Sequence, residues 1–347
     1  MKQSNEPIDF VIAWVDGNDQ KWKREKEWYA RRDGKQLLCD DRDERYRDWD
    51  NLQYWFRSVE KNAPWVHKIY FVTCGHLPKW LDTSNPKLVI VNHNEYIPEQ
   101  YLPTFNSHTI ELNFHRIPGL SEHFVYFNDD IFLLKQVLPQ DFFVNGKPKD
   151  MLALQPDVAN TENDVMPYIY LNNAMMLAKY FRKRENIRKQ PLKYFHVGYP
   201  FLYFCYNFLE LAFPLFTGFY TVHGPSPLCK STYETIWEKE PELMDRTCQH
   251  KFRSREDVNQ YVLREWQKLT GNFVPKNIGK YLRYFNVDNQ NVKLTKCIQK
   301  RKCKAVCIND SNQKIDFDRA RKQLQKAFEM ERSVSSWGKK AEQNIPQ

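Results

Sequence analysis

The sequence predicts an α/β protein built on a mainly parallel sheet, with flanking helices and a more helical C-terminal half. Four short runs rich in β-branched and aromatic residues, IDFVIAWV (8–15), KIYFVT (68–73), KLVIVN (87–92) and FVYFN (124–128), read as buried strands. Between the first two, Leu52, Trp55, Phe56 and Val59 recur at helical spacing and Pro64 stops the pattern, so an amphipathic helix separates two strands. A second helix is expected over 106–117, with Ile110, Phe114 and Ile117 inward before Pro118-Gly119. Alternating strands and helices of this kind make a mainly parallel sheet, whose ligands bind beyond the carboxyl ends of the strands.

The residues that follow each strand therefore matter most. DGND (16–19) follows the first, CGHLP (74–78) the second and NDD (128–130) the fourth. Neither GxGxxG nor GxxxxGK[ST] occurs, which excludes the usual dinucleotide and P-loop phosphate cradles. Asp129 and Asp130 repel one another unless a cation or hydrogen-bond donors compensate. A hard-oxygen site for Mg²⁺ or Mn²⁺ and a pair that caps the following turn both satisfy that need. Asp16 has the same two readings, with Gly17 allowing a tight turn, while Asp19 can cap the helix that contains Trp22. Glu111 and His115, four apart on the expected helix, share a face beside Arg116, as an ion pair or as part of a site. His223 stands in the loop VHGPSP, an irregular backbone that suits a site residue, although a lone His is more often structural. Arg253 in KFRSRED, and Asn309-Asp310 in CINDS, read as surface residues from their own neighbourhoods.

Composition sets the class. With 347 residues, 41% hydrophobic and 15% aromatic, the chain holds enough apolar material for a core and is not a disordered chain. The start MKQSNEPIDFVIAWV lacks a secretory pattern, and eight scattered cysteines suit reduced thiols, so a cytoplasmic location is expected. Cys297, Cys303 and Cys307 have irregular spacing and no nearby His, which disfavours a zinc site. The net charge of +9 gathers in KYFRKRENIRKQPLK (179–193) and KCIQKRKCK (296–304), as solvated faces or as contacts to phosphate-rich partners. No nucleic-acid-binding motif accompanies it. The stretch 197–222 carries one charge, Glu210, but Pro200, Asn207 and Pro214 argue against a membrane span. Buried or subunit-interface helices and a surface that dips into a bilayer remain as its readings. IDFDRARKQLQKAFEMERSVSSW (315–337) reads as a final helix with Phe317, Ala320, Leu324, Ala327 and Phe328 inward.

Four stretches together resemble the Stealth family of sugar-phosphate transferases, which includes bacterial capsular and exopolysaccharide phosphotransferases and the animal enzyme that makes the lysosomal mannose-phosphate tag. They are IDFVIAWVDGNDQKW (8–22), the long region 45–143, HGPSPLCKSTYETIWEKEPE with KFRSREDV (223–258), and CINDS (307–311). The third departs from the family, which follows its His-x-Pro with an aspartate-arginine pair where PLCKSTYETI stands here. The resemblance implies a glycosyltransferase-like, Rossmann-like fold. Residues 1–150 would form an α/β nucleotide-sugar-binding half with the first two blocks, and 151–347 a helical half that completes the site, as one domain or two.

It also implies transfer of a hexose 1-phosphate from a nucleotide sugar to a hydroxyl of a polysaccharide or lipid-linked oligosaccharide. A phosphodiester forms and a nucleoside monophosphate leaves. The catalytic residues implied are His223, Arg253 and Asp130, with Mg²⁺ or Mn²⁺ held by Asp129, Asp130 and Asp16. Trp14, Asp16, Gly17, Asn128, Glu111, His115, Arg116 and Asn309 would bind substrate. A lipid-linked acceptor would place the protein peripherally at the inner face of the cell membrane, touching it through 197–222. The rival readings are an ordinary glycosyltransferase, which releases a nucleoside diphosphate, and a non-catalytic carbohydrate- or membrane-binding scaffold.

Overall fold

The computed structural model describes residues 6–32, 39–40, 48–158, 164–310, 315–330 and 337. The four expected strands form where their apolar runs lie: β1 (Ile8–Ala13), β2 (Ile69–Thr73), β3 (Leu88–Asn92) and β4 (His123–Phe127). They pair in parallel in the order β3-β2-β1-β4, so the first strand is central and the chain winds outward from it in both directions. Phe10 and Ile12 face one layer and Val11 the other, all fully buried, as expected of a parallel sheet covered on both sides. Asp9 is the polar exception in β1. Its carboxylate accepts from the Lys68 and Ser121 backbone N–H groups and bonds to His67, so its burial is compensated.

The sheet has additions that strand patterning did not anticipate. After β5 (Ile131–Leu133), a later strand, β6 (Ser226–Cys229), adds antiparallel to the free edge of β4. A second sheet joins β7 (Leu282–Asn286) and β8 (Ala305–Asn309) in parallel, with β5 antiparallel on β8. Both sheets thus contain strands from either side of residue 150. CINDS therefore ends an interior strand, and Cys307 is fully buried. Ser311, like the C-terminal segment 331–336, lies outside the described residues.

Helix Leu52–Asn62 packs Trp55, Phe56 and Val59 into the core with no exposure, and Phe317–Glu329 closes the same layer with Leu324, Ala327 and Phe328. The helix expected over 106–117 is shorter. It runs Ser107–Leu112, and a 3₁₀ turn at Phe114–Arg116 follows. That turn has tighter geometry, so residues four apart no longer share a face.

Helix Tyr261–Leu269 is buried along its whole length. Its charges are paired inside: Arg264 donates two hydrogen bonds of 2.9 Å to Asp150, and Lys268 donates to Glu265 at 2.7 Å. Asp150→Ala strands a buried guanidinium and should cost about 3–5 kcal/mol, read from the urea midpoint. Exchanging both partners, Asp150→Leu with Arg264→Met, should recover much of that loss.

Candidate functional site

Strand register brings three separate segments to one point. β1 and β4 align Ile12 with Phe127, so Trp14 emerges beside the Asn128–Asp130 turn. β6 runs antiparallel to β4 with Ser226 opposite Tyr126, and the residues before it, including His223, lie over the same turn. β8 runs antiparallel to β5 with Cys307 opposite Ile131, and the Ile308 N–H donates to the Asp130 carbonyl at 2.9 Å. These segments floor a cavity of about 630 Å³, large enough for a nucleotide sugar.

At its centre one oxygen of Asp130, Oδ2, bonds to His223 Nε2 at 3.0 Å and accepts from the Cys307 thiol at 3.4 Å. The other, Oδ1, is buried with no hydrogen-bond partner. No hydrogen bond ties the carboxylate to its own turn, and its partners come from the segments before β6 and in β8. His223 Nδ1 bonds to Tyr261 Oη at 2.9 Å, so both ring nitrogens are engaged. Burial alone would lower the His223 pKa, but the Asp130 charge and hydrogen bond outweigh it and hold the ring above its ordinary value. Asp129 is open to solvent within the concavity. Desolvation by the surrounding protein, then the charges of Asp130 and Asp48, push its carboxyl up to about 7.

Arg253 also lines the cavity, where Nε and Nη2 both donate to Ser107 Oγ, at 3.2 and 2.7 Å. Glu111 lines the cavity nearby, buried and receiving the Tyr126 hydroxyl at 3.1 Å; burial raises its pKa against the opposing pull of His108 and Arg253. Trp14, Asn128 and Asn309 also line it, and Asn309 donates to Asn286 Oδ1 at 2.8 Å.

Four expected site residues do not line the cavity. Asp16 does not line the cavity: its Oδ1 accepts the Asn18 N–H at 2.9 Å, the turn-holding reading, and Gly17 is buried in the same turn. Asp19 caps its helix by accepting the Trp22 N–H at 2.7 Å. His115 and Arg116 are turned away from Glu111 by the 3₁₀ geometry. His115 stacks on Tyr233, where burial and then the Arg116 charge push its pKa down to about 3, and the Arg116 guanidinium lies over Trp237. The three C-terminal cysteines do not converge either. Cys297 and Cys303 sit 3.6 Å apart, whereas Cys307 faces Asp130.

A protein-family model for conserved region 2 of Stealth proteins matches residues 45–151, and one for conserved region 1 matches 6–33. The chain is 42% identical to a capsular polysaccharide phosphotransferase, WcwK, of Streptococcus pneumoniae, over 93% of this chain and 95% of that one. The chain belongs to the Stealth family. It is also 39% identical to the exopolysaccharide phosphotransferase cps2G of Lactiplantibacillus plantarum, over 92% and 93% of the two chains. With the receptor polysaccharide phosphotransferase WefC of Streptococcus gordonii it shares 38% identity over 93% and 96%. Among solved structures, the WbbM bifunctional glycosyltransferase is a remote likeness: 9% identity, TM-score 0.34, covering 94% of this chain and 52% of that one.

This Stealth protein carries an acidic cavity in a basic chain. Asp48, Glu111, Asp129, Asp130, Asp157, Asp164 and Asp310 line it, against Arg253 and two histidines, and no lysine lines it among the described residues. The basic runs 179–193 and 296–304 lie elsewhere, so they do not serve as its phosphate cradle. Burial raises Asp157 to about 6, with the Glu265 charge adding to the shift, and burial also raises Asp48. Such a set tolerates an anionic ligand only with a cation to offset it. The orphaned Asp130 Oδ1 and the hard carboxylate oxygens beside it fit a divalent ion. Asp130, His223 and Cys307 offer ligand atoms within 4.8 Å of one another.

Sequence reasoning missed Tyr261, which carries no motif of its own, and Asp257, which stands in KFRSREDV but was given no role there. Asp257 is fully buried and receives Asn106 Nδ2, His108, His250 and the Ser254 N–H at 2.6–2.9 Å, which fastens the Arg253 loop to the helix of Ser107 and Glu111. Burial would raise its pKa, but hydrogen bonds from His108 and His250 prevail and depress it. A depressed carboxylate stabilises the fold above the unfolded pKa of about 3.9, and that contribution fades as pH falls through the lower folded value. Asp257→Ala should cost about 3 kcal/mol or more at neutral pH. The loss should shrink below about pH 4, measured by denaturant titration across pH.

Proposed function

We propose that this Stealth protein transfers a sugar 1-phosphate from a nucleotide sugar to a hydroxyl of a growing polysaccharide or lipid-linked oligosaccharide. The observation that carries the reading is near-full-length identity of about 40% to proteins named polysaccharide phosphotransferases, joined to a cavity that His223, Asp130 and Arg253 line. The acceptor oxygen attacks the phosphorus that bears the sugar, and the bond from that phosphorus to the bridging oxygen of the nucleotide breaks. Its electron pair leaves on the nucleoside monophosphate, and the anomeric carbon is untouched.

His223 takes the acceptor proton. Both nitrogens are already bonded, so the acceptor hydroxyl must displace Asp130 or Tyr261 from one of them, and the remaining bond keeps the ring oriented. Arg253 offers two donors to the transferring oxygens, a planar fork that Lys does not match. Asp129 and Asp130 would hold Mg²⁺ or Mn²⁺, with Asp16 no longer in the set. When bound, the ion neutralises diphosphate charge. Trp14, Asn128, Glu111 and Asn309 stand where donor and acceptor groups would lie. Nucleotide sugars are cytoplasmic metabolites, and a lipid-linked acceptor places the reaction at the inner face of the cell membrane.

Incubation with a panel of nucleotide sugars, a capsular acceptor and Mg²⁺ or Mn²⁺ should release a nucleoside monophosphate together with a phosphodiester product. Accumulation of nucleoside diphosphate instead would establish an ordinary glycosyltransferase and overturn the reading. His223→Ala should lose roughly 10²–10⁴-fold in turnover while binding donor normally by calorimetry. Chelation should abolish monophosphate release, and Mg²⁺ or Mn²⁺ should restore it.

A further inference from the structure

The stretch 197–222 contradicts the buried-helix reading. Nine of the twenty large apolar side chains that stand exposed among the described residues lie between 192 and 215. Val197 is 95% exposed, Phe201 81%, Leu192 80% and Leu215 70%. Helix Phe201–Leu209 is amphipathic in the inverted sense: Phe201, Leu202, Phe208 and Leu209, two turns apart in pairs, share its outward face. Its polar member faces in. Asn207 accepts the Leu154 N–H at 2.7 Å and donates to the carbonyls of Leu152 and Tyr194 at 3.0 and 2.6 Å.

The turn after the helix repeats the inversion. Glu210 is buried against Lys183 at 2.5 Å and receives Thr217 Oγ1 at 2.7 Å, leaving Leu211, Phe213 and Leu215 outside. A rigid scaffold of satisfied polar groups thus holds the apolar side chains in water. Exposed apolar surface of this extent marks an interaction site.

Its neighbourhood selects the partner. The Lys183–Glu210 pair and the Phe195–Phe204 ring contact at 5.7 Å seat the basic segment 182–193 beside the apolar face. There Arg182, Arg184, Arg188 and Lys189 are exposed, with Glu185 the one exposed acidic residue of that segment. Two copies meeting through this face would oppose like charges, whereas anionic headgroups complement them. No helix among the described residues is long and apolar enough to cross a bilayer.

We infer that residues 182–215 dock this protein on an anionic lipid surface, with Phe201, Phe208 and their neighbours entering the headgroup boundary and the arginines and lysine contacting lipid phosphates. The docked face leads to the cavity. The tilted rings of Tyr203 and Tyr220 pack with centroids 4.1 Å apart and those of Phe216 and Phe219 at 5.0 Å, and both Phe219 and Tyr220 line the cavity wall. An acceptor carried on a lipid would thus meet the cavity from the bilayer side.

Flotation of the full chain with phosphatidylglycerol/phosphatidylcholine vesicles tests this without donor or acceptor, and so independently of the proposed reaction. The wild type should float with anionic vesicles, less so as salt rises, and only weakly with phosphatidylcholine alone. Phe201→Asp/Phe208→Asp should abolish flotation with an unchanged melting temperature. Arg184→Gln/Arg188→Gln/Lys189→Gln should weaken partition about fivefold per charge, roughly a hundredfold in all. Failure of the wild type to float, or variants that float like it, would overturn the inference. A concentration-dependent dimer that the Phe201→Asp/Phe208→Asp variant disperses, without vesicle binding, would assign the face to a second copy instead.

Discussion

Everything at the site depends on β1 and β4 lying side by side in parallel. Their last ladder residues, Ile12 and Phe127, are fully buried, so the strands leave a dry sheet at the same level. The chain winds from β1 through β2 and β3 on one side and returns to β4 on the other, so the crevice where the winding changes direction lies between β1 and β4, and antiparallel β6 extends the β4 edge. Polar residues can leave the core there. Asn128, Asp129 and Asp130 do so, and β6 and β8 run antiparallel to β4 and β5 so that His223 and Cys307 reach the same point.

Crowding carboxylates at such a crevice has an electrostatic consequence that governs the chemistry. Burial first, and then the charges of Asp130 and Asp48, push the Asp129 carboxyl up to about 7, while Asp130 is hydrogen-bonded to His223. Tyr261 holds the other side of the imidazole from the first turn of a fully buried helix, whose own charges are paired by Asp150 and Glu265. The ring is thus fixed from both sides before any substrate arrives, which lowers the orientational cost of a transfer step.

The same chain applies opposite logic to two helices. In Tyr261–Leu269, charged side chains are buried because each finds a partner, and the helix becomes a rigid support for the cavity wall. In Phe201–Leu209, polar groups also turn inward and are satisfied, and the apolar residues are displaced to the surface. Composition alone does not separate these cases. Where the polar groups find partners decides which side of a helix is left to meet water or lipid.

Local pattern determined much of this protein. The four parallel strands, the Leu52–Asn62 helix, the rim position of Asn128–Asp130 and the capping role of Asp19 follow from short-range periodicity and turn chemistry, which need no distant contact. The family blocks singled out Arg253 and Asn309, which their own neighbourhoods left ordinary, and favoured the site reading of His223. Only the tertiary structure decided the rest. The break after Leu112 parted His115 and Arg116 from Glu111, the antiparallel β8 brought Cys307 to Asp130, and Asp257 fastened the Arg253 loop. It also turned the apolar side of 201–215 outward. These are matters of register, chain reversal and long-range hydrogen bonding between residues up to 177 positions apart, and no window of sequence contains both partners.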